Sequence, residues 1–144
     1  MRVVIQRVHK SSLSVDDKVV SQIGAGLQVF VGVVKTDTEA NAIKMANKIV
    51  NMRIFREGEK LNKSVKDIGG EILLVSNFTL CSRDGSGTRP DFSFSADKDT
   101  ALKLYLKLAE EMQAQGVPTK LGRFGEHMEI DCVLDGPINI YKEI

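Results

Sequence analysis

The chain has no tryptophan, three prolines and only two cysteines, Cys81 and Cys132. With no CxxC and no histidine at ligand spacing around them, a zinc module is excluded and a disulfide framework has no basis. An excess of charge of one sign is missing too. The 20 Lys+Arg residues face 19 Asp+Glu for a net charge of +1, which excludes a protein that coats nucleic acid through a broad basic field. A few positioned contacts to RNA stay open. No window holds the 18 or so consecutive apolar residues of a membrane span, and Met1 to Arg7 lacks the apolar stretch of a signal peptide. The expected compartment is the cytosol, with both thiols reduced. The GxSxG elbow, the GxxxxGK[ST] loop, HExxH and a GxGxxG opening a helix are all absent. Gly85-Ser86-Gly87 is not followed by a helix start and makes a poor phosphate cradle. No metal and no cofactor are expected.

What remains suits one globular domain over residues 1–144. At about 150 residues a fold buries roughly 68–70% of the surface its unfolded chain exposes, so it needs no staple. Val3, Ile5 and Leu13, Val15 alternate with polar neighbours, and Asp16-Asp17-Lys18 marks a turn before Val19-Val20, which predicts antiparallel strands. Leu27 to Val34 is short and apolar throughout, as a strand buried on both faces should be. Thr36 and Glu39 have capping-box spacing ahead of Ile43, Ala46, Ile49 and Val50, predicting a helix from Asp37 to about Asn51. Arg53-Ile54-Phe55 reads as a short strand, and Glu71 to Val75 as a second buried one. Ser82 to Ser95 shows no periodicity, and connections this long are often functional. Asp97 caps a second helix with Ala101, Tyr105, Leu108 and Met112 on one stripe, stopped by Gly116 and Pro118. Met128, Ile130, Cys132 and Leu134 alternate as a half-buried strand, which Asp135-Gly136-Pro137 interrupts before Ile138 to Tyr141 resumes it. The predicted fold is mixed α/β: largely antiparallel sheets, three-layered and barrel-like, with two helices packed on one side.

Two short segments stand out chemically. Ser76 and Thr79 follow a buried strand, where an unpaired polar group costs about 1–3 kcal/mol. Their hydroxyls either bond backbone at the strand end or serve a site. A triad on Ser76 would need His9 or His127 plus a carboxylate; Asp131 is available to His127, but no spacing singles such a triad out, and Cys81 with His127 fares no better. Cys132 reads as a packing residue. Proline cannot donate to a ladder, so Pro137 between two strand halves demands an edge, a turn or a distortion. Either Asp135-Gly136 begins an ordinary turn, or the kink turns two carbonyls outward, where they suit an ammonium with three donors and no acceptor. A cis X–Pro bond, found in about 5–6% of cases, fits after glycine. Among the basic residues, Arg7, Arg53 and Arg89 are candidates for RNA contact. Phe92 and Phe94 beside Arg89-Pro90 either stack a base or pin a loop.

Together these residues resemble the D-aminoacyl-tRNA deacylase family over nearly the whole chain. Met1-Arg2-Val3-Val4-Ile5-Gln6-Arg7-Val8, Asn51 to Phe55, Arg89 to Phe92 and Gly122 to Gly125 with Met128 resemble its landmarks. Ser76-Asn77-Phe78-Thr79-Leu80 resembles its SQxTL motif, and Asp135-Gly136-Pro137-Ile138-Asn139 its NxGPxT motif. The resemblance implies a homodimer with active sites at the subunit interface, where the carbonyls of a cis Gly-Pro from the partner hold the substrate's α-ammonium. Carried over, Gly136 and Pro137 form the chirality filter. Ser76, Phe78 and Thr79 are the catalytic positions, with backbone N–H groups around Phe78 and Thr79 as oxyanion donors. Leu80, Phe124, Met128, Asn77 and Asn139 contribute to binding the 3′-terminal adenosine and ester. Asn77 stands where the family has Gln, and Asn139 where it has Thr.

The implied activity is hydrolysis of D-aminoacyl-tRNA, and of mischarged glycyl-tRNA, with L-aminoacyl-tRNA refused. A backbone filter reads groups every amino acid shares and tests handedness without testing the side chain. No protein nucleophile is evident, so catalysis is expected to lean on the tRNA itself. The alternative is a non-catalytic tRNA- or nucleic-acid-binding module on the same scaffold. A generic serine or cysteine hydrolase is a third possibility.

Overall fold

The computed structural model describes residues 1–83 and 87–144. Gly85 and Ser86, part of the candidate cradle, lie outside the described residues. The first strand, β1 (Arg2–Val15), turns through Asp16 and Asp17, both at positive φ (48° and 60°), into β2 (Lys18–Ile23). Two successive left-handed residues match the turn geometry that follows strand twist, and Asp tolerates it. β3 (Gly26–Gly32) returns along the first half of β1, antiparallel, pairing Arg2 with Gly32 and Val8 with Gly26. β6 (Glu71–Ser76) lies parallel to β3, and β7 (Thr119–Leu121) lies parallel to β6. The last strand, β8 (Glu129–Glu143), runs antiparallel along the other side of β1. A separate hairpin joins β4 (Phe55–Glu57) to β5 (Lys60–Lys63).

The six-stranded sheet curls until β2 approaches β7. Ser21 Oγ donates to the Leu121 carbonyl at 2.6 Å, and Lys120 Nζ to the Gln22 carbonyl at 2.7 Å, so side chains close what backbone pairing leaves open. The result is a nearly closed, barrel-like sheet in one mixed α/β domain, as expected. α1 (Glu39–Val50) and α2 (Lys98–Ala114) pack on each other over one face. Met45, Ile49, Leu108 and Met112 meet Val29, Ile72 and Leu74 there. Leu73 and Val75 point the other way, into a smaller core with Val8, Leu13 and Ile23. This division explains why EILLV carries no polar residue after Glu71: both its faces are covered.

Several details differ from the sequence pattern; the short strand read at Arg53-Ile54-Phe55 is β4, which begins only at Phe55. α1 begins at Glu39, capped by Thr38, whose N–H donates to Asn41 Oδ1 at 2.8 Å. The capping box is therefore Thr38/Asn41, two residues beyond Thr36/Glu39. Asp37 is held back by the Val34 N–H and the Met1 ammonium, which delays the helix, and Glu39 instead pairs with Lys103 of α2. Ile43, placed on the buried stripe, is 45% exposed; Ala42 and Met45 take the inner positions. Asp97 caps α2 as expected, accepting from the Thr100 N–H at 3.0 Å, and this bond holds its carboxyl below the usual range.

Candidate active site

Where β6 ends, its pairing with β3 continues for one more bond, Asn77 N–H to the Val31 carbonyl at 2.8 Å. The chain then tightens into a 3₁₀ turn, Phe78–Cys81. Gly32 permits this. A Cβ there would lie 2.9 Å from Cys81 Sγ and 3.0 Å from the Asn77 carbonyl oxygen, closer than real Cβ atoms sit. The turn forms one wall of a cleft of about 690 Å³ between the sheet end and α2. Ser76, Asn77, Phe78 and Thr79 border it, with Phe124 and Met128 opposite. Tyr105 anchors the floor. It is buried, its hydroxyl donates to the Leu74 carbonyl at 2.8 Å, and burial raises its pKa far above the ordinary phenol value.

Hydrogen bonding sorts the groups at this wall. Asn77 Oδ1 accepts from the Thr79 N–H at 3.1 Å and from the Thr79 hydroxyl. The Leu80 N–H goes to the Asn77 carbonyl at 3.3 Å. Among the described residues nothing accepts from the Phe78 N–H or from the Ser76 hydroxyl. Of the two backbone donors expected here, Thr79 is thus already engaged, and Phe78 is the one available. The short amide of Asn77 is the cause, since its oxygen reaches the N–H two residues on, as capping Asn side chains do. Leu80 does not border the cleft. It packs behind the turn near Gly32, and its carbonyl accepts from Arg2 at 3.1 Å.

His127, weighed above for a triad, also borders the cleft, as do Lys98 and Glu126, which nothing in their local sequence pattern marks. Among the described residues Ser76 makes no hydrogen bond to His127 or Asp131, and Cys81 is buried with its thiol donating to the Val33 carbonyl. Burial pushes that thiol's pKa up, away from the nucleophilic thiolate. Among the described residues of the cleft no nucleophile is hydrogen-bonded to a base. Phe94 pins the following loop, with the Arg83 guanidinium 3.6 Å from its ring centroid. Phe92 instead meets exposed Phe78 edge to face at 5.1 Å.

Gly136 and Pro137 lie elsewhere, on β8, and do not border this cleft. Their peptide is cis. The strand is not broken there. Gln6 pairs with Asn139 and Val8 with Leu134, so three surplus residues bulge from the ladder. Arg7, a candidate for RNA contact, is only 4% exposed and faces this bulge. It donates to the Asp135 carbonyl at 3.1 Å and to the Ile54 carbonyl, and pairs with the Asp135 carboxylate at 2.9 Å. A guanidinium so engaged holds the loop and leaves no face for a phosphate. Arg53 and Arg89 are exposed, and Arg53 donates to Asn62 at 3.2 Å. Gly136 and Pro137 are exposed, and nothing inside the protomer requires glycine at 136. Its φ is not left-handed, and a Cβ would meet only Ile138 N at 3.6 Å and Leu134 Cβ at 3.8 Å. Val133 and Leu134, 43% and 42% exposed, add an apolar shoulder beside the loop. Leu134 occupies the place of the asparagine that opens NxGPxT.

The cleft is thus walled by a strand-end turn with an unspent backbone donor, and among the described residues it holds no nucleophile–base pair. Comparison with known proteins is more specific. A family profile described as D-Tyr-tRNA(Tyr) deacylase matches residues 4–143. A D-aminoacyl-tRNA deacylase of Bacillus licheniformis is 46% identical over 144 residues, spanning 99% of this chain and 98% of that protein. One from Ruegeria pomeroyi is 46% identical, spanning all of both. A solved structure, the c-Myc DNA unwinding element binding protein, superposes with a TM-score of 0.95 at 35% identity, covering 100% of this chain and 99% of that one. The chain belongs to the D-aminoacyl-tRNA deacylase family, hydrolases of the ester bond in aminoacyl-tRNA.

Proposed function

We propose that this protein hydrolyses D-aminoacyl-tRNA as a homodimer in which the Gly136–Pro137 loop of one subunit completes the cleft of the other. One observation carries the reading. The two signature segments lie apart on one protomer: Ser76 to Thr79 wall the cleft, while the exposed Gly136–Pro137 loop does not border it. A second copy brings them together. The free edge of β8 and the apolar shoulder of Val133 and Leu134 suit such a contact.

In the composite pocket the 3′-terminal adenosine occupies the cleft beside Phe124 and Met128. The substrate ammonium donates to the carbonyls of Gly136 and Pro137. An L-residue anchored the same way drives its side chain into those carbonyls, whereas a D-residue or glycine does not. Sites that leave buried polar groups unpaired by the wrong substrate discriminate by roughly 10⁴–10⁵. Water attacks the ester carbonyl, the Phe78 N–H stabilises the developing oxyanion, and the neighbouring ribose hydroxyl of the tRNA assists proton transfer to the leaving oxygen. Loss of a single oxyanion donor costs enzymes about 10²–10³ in rate, so one well-placed N–H acting on an already reactive ester is sufficient.

The name of the DNA-element-binding structural relative keeps a second reading in view, a nucleic-acid binder without turnover. Single-turnover deacylation of matched D- and L-tyrosyl-tRNA separates the two. Release of D-tyrosine with the L-ester intact supports the deacylase. Binding of either tRNA without release supports the binder.

A further inference from the structure

The loop at Gly136–Pro137 leaves β8 between two in-register pairs, and its ends are held differently. At the Val8–Leu134 end, buried Arg7 grips Asp135 through its carbonyl and carboxylate. At the other end the last pair is Gln6 with Asn139, and there Gln6 Nε2 donates to Asn139 Oδ1 at 2.8 Å. Directly opposed side chains on antiparallel strands are close enough for this contact. Asn139 is exposed, neither residue belongs to the hydrophobic core, and neither borders the cleft.

We propose that Gln6 and Asn139 form a positioning pair that fixes the Asn139 end of the loop, and that discrimination between D- and L-substrates depends on it. The proposal rests on the filter reading above. Asn139 is only two residues from Pro137. With the Asp135 end clamped by Arg7, the remaining freedom of the two carbonyls is rotation about the opposite end, which the Gln6 bond removes. A carbonyl that holds an ammonium works within the narrow distance range of a hydrogen bond, about 2.7–3.2 Å. A small swing therefore loosens the hold on the ammonium and the refusal of the L-side chain together. The same bond gives a reason for the amide at 139 where the family has threonine. What the position supplies is an acceptor for Gln6, and a hydroxyl oxygen also accepts. If the pair is only an exposed cross-strand contact, stability shifts slightly and handedness not at all.

The test compares Asn139→Thr with Asn139→Val, two side chains of one shape of which only the first accepts a hydrogen bond, together with Gln6→Ala and the double variant Gln6→Ala/Asn139→Val. Single-turnover rates on D- and L-tyrosyl-tRNA give the D/L ratio, and thermal melting reports the fold. The expected result is a D/L ratio at least tenfold lower in Asn139→Val than in Asn139→Thr. Gln6→Ala matches the valine variant, and the double variant is no worse than either single. Equal ratios in the threonine and valine variants overturn the proposal, as do losses that multiply in the double variant. If the unaltered protein itself fails to distinguish D from L, the filter reading falls. If it distinguishes them and the variants keep its ratio, only the positioning pair falls.

Discussion

Replacing Gly136 by alanine separates what the fold needs from what the pocket needs. Within the protomer the added methyl meets Ile138 N at 3.6 Å and Leu134 Cβ at 3.8 Å, ordinary van der Waals contacts, and the backbone is not left-handed. Gly→Ala at a compatible position stabilises by about 0.4–1 kcal/mol, because the unfolded chain loses freedom. In a domain of this size that raises Tm by at most about 4 °C. In the proposed composite pocket the same methyl would stand beside the carbonyls assigned to the ammonium. Loss of two hydrogen bonds to a charged group, each worth about 1.5–3 kcal/mol, weakens transition-state binding by at least about 3 kcal/mol. That is roughly a hundredfold in kcat/KM, at about 1.4 kcal/mol per tenfold. The assay is deacylation of D-tyrosyl-tRNA alongside differential scanning calorimetry. A fall in Tm of more than about 5 °C refutes the claim that the fold tolerates the methyl. An unchanged kcat/KM with an unchanged D/L ratio refutes the role of position 136 in the pocket.

Gly26→Ala has the opposite profile, since its Cβ would sit 1.9 Å from the Glu71 carbonyl oxygen and 2.8 Å from its nitrogen. Forcing β3 from β6 costs about 3 kcal/mol or more, read as a lower denaturation midpoint in guanidinium. Asn77→Ala removes the acceptor for the Thr79 N–H and hydroxyl. A lost cap costs about 1 kcal/mol, and the loosened Phe78 N–H lowers kcat more than it raises KM in steady-state deacylation. Glu71 accepts from the Gly24 N–H and pairs with Lys120, which together lower its pKa. A depressed folded-state pKa contributes stability above the unfolded value near 4.3 and loses it as pH falls below that. Glu71→Gln therefore shows a shallower decline of Tm between pH 5 and about pH 3 than the parent chain does.

Much of the architecture is readable from residue pattern because burial imposes it. LQVFVGVV and EILLV each require cover on both faces, and the sheet provides it. The Asp97 cap and the Tyr105–Leu108–Met112 stripe follow from helical periodicity alone. The pattern misses where competition is tertiary. Thr36 has the right spacing to cap, but Asp37 is claimed by Val34 and by the chain start 36 residues away. Arg7 reads as a surface cation, since nothing local says that Asp135 and Ile54 lie opposite it. Within the site, Ser76 to Thr79 can be placed by motif, yet the consequence of asparagine at 77 emerges only from the bond it makes to Thr79. Lys98 reaches the cleft from the start of α2 and Glu126 and His127 from the connection between β7 and β8, and no periodicity links them.

The proposed function turns on each pocket taking its cleft from one subunit and its loop from the other. Complementation between two crippled subunits tests it directly. Thr79→Trp fills the cleft and leaves the loop intact; Gly136→Val blocks the loop and leaves the cleft intact. Each variant alone is inactive on D-tyrosyl-tRNA. When the two are mixed and allowed to exchange subunits, about half of the dimers are hybrids, each with one intact pocket of two. The expected result is recovery of about a quarter of the parent activity. No recovery from verified hybrids contradicts it, since a pocket built within one subunit stays broken in every combination.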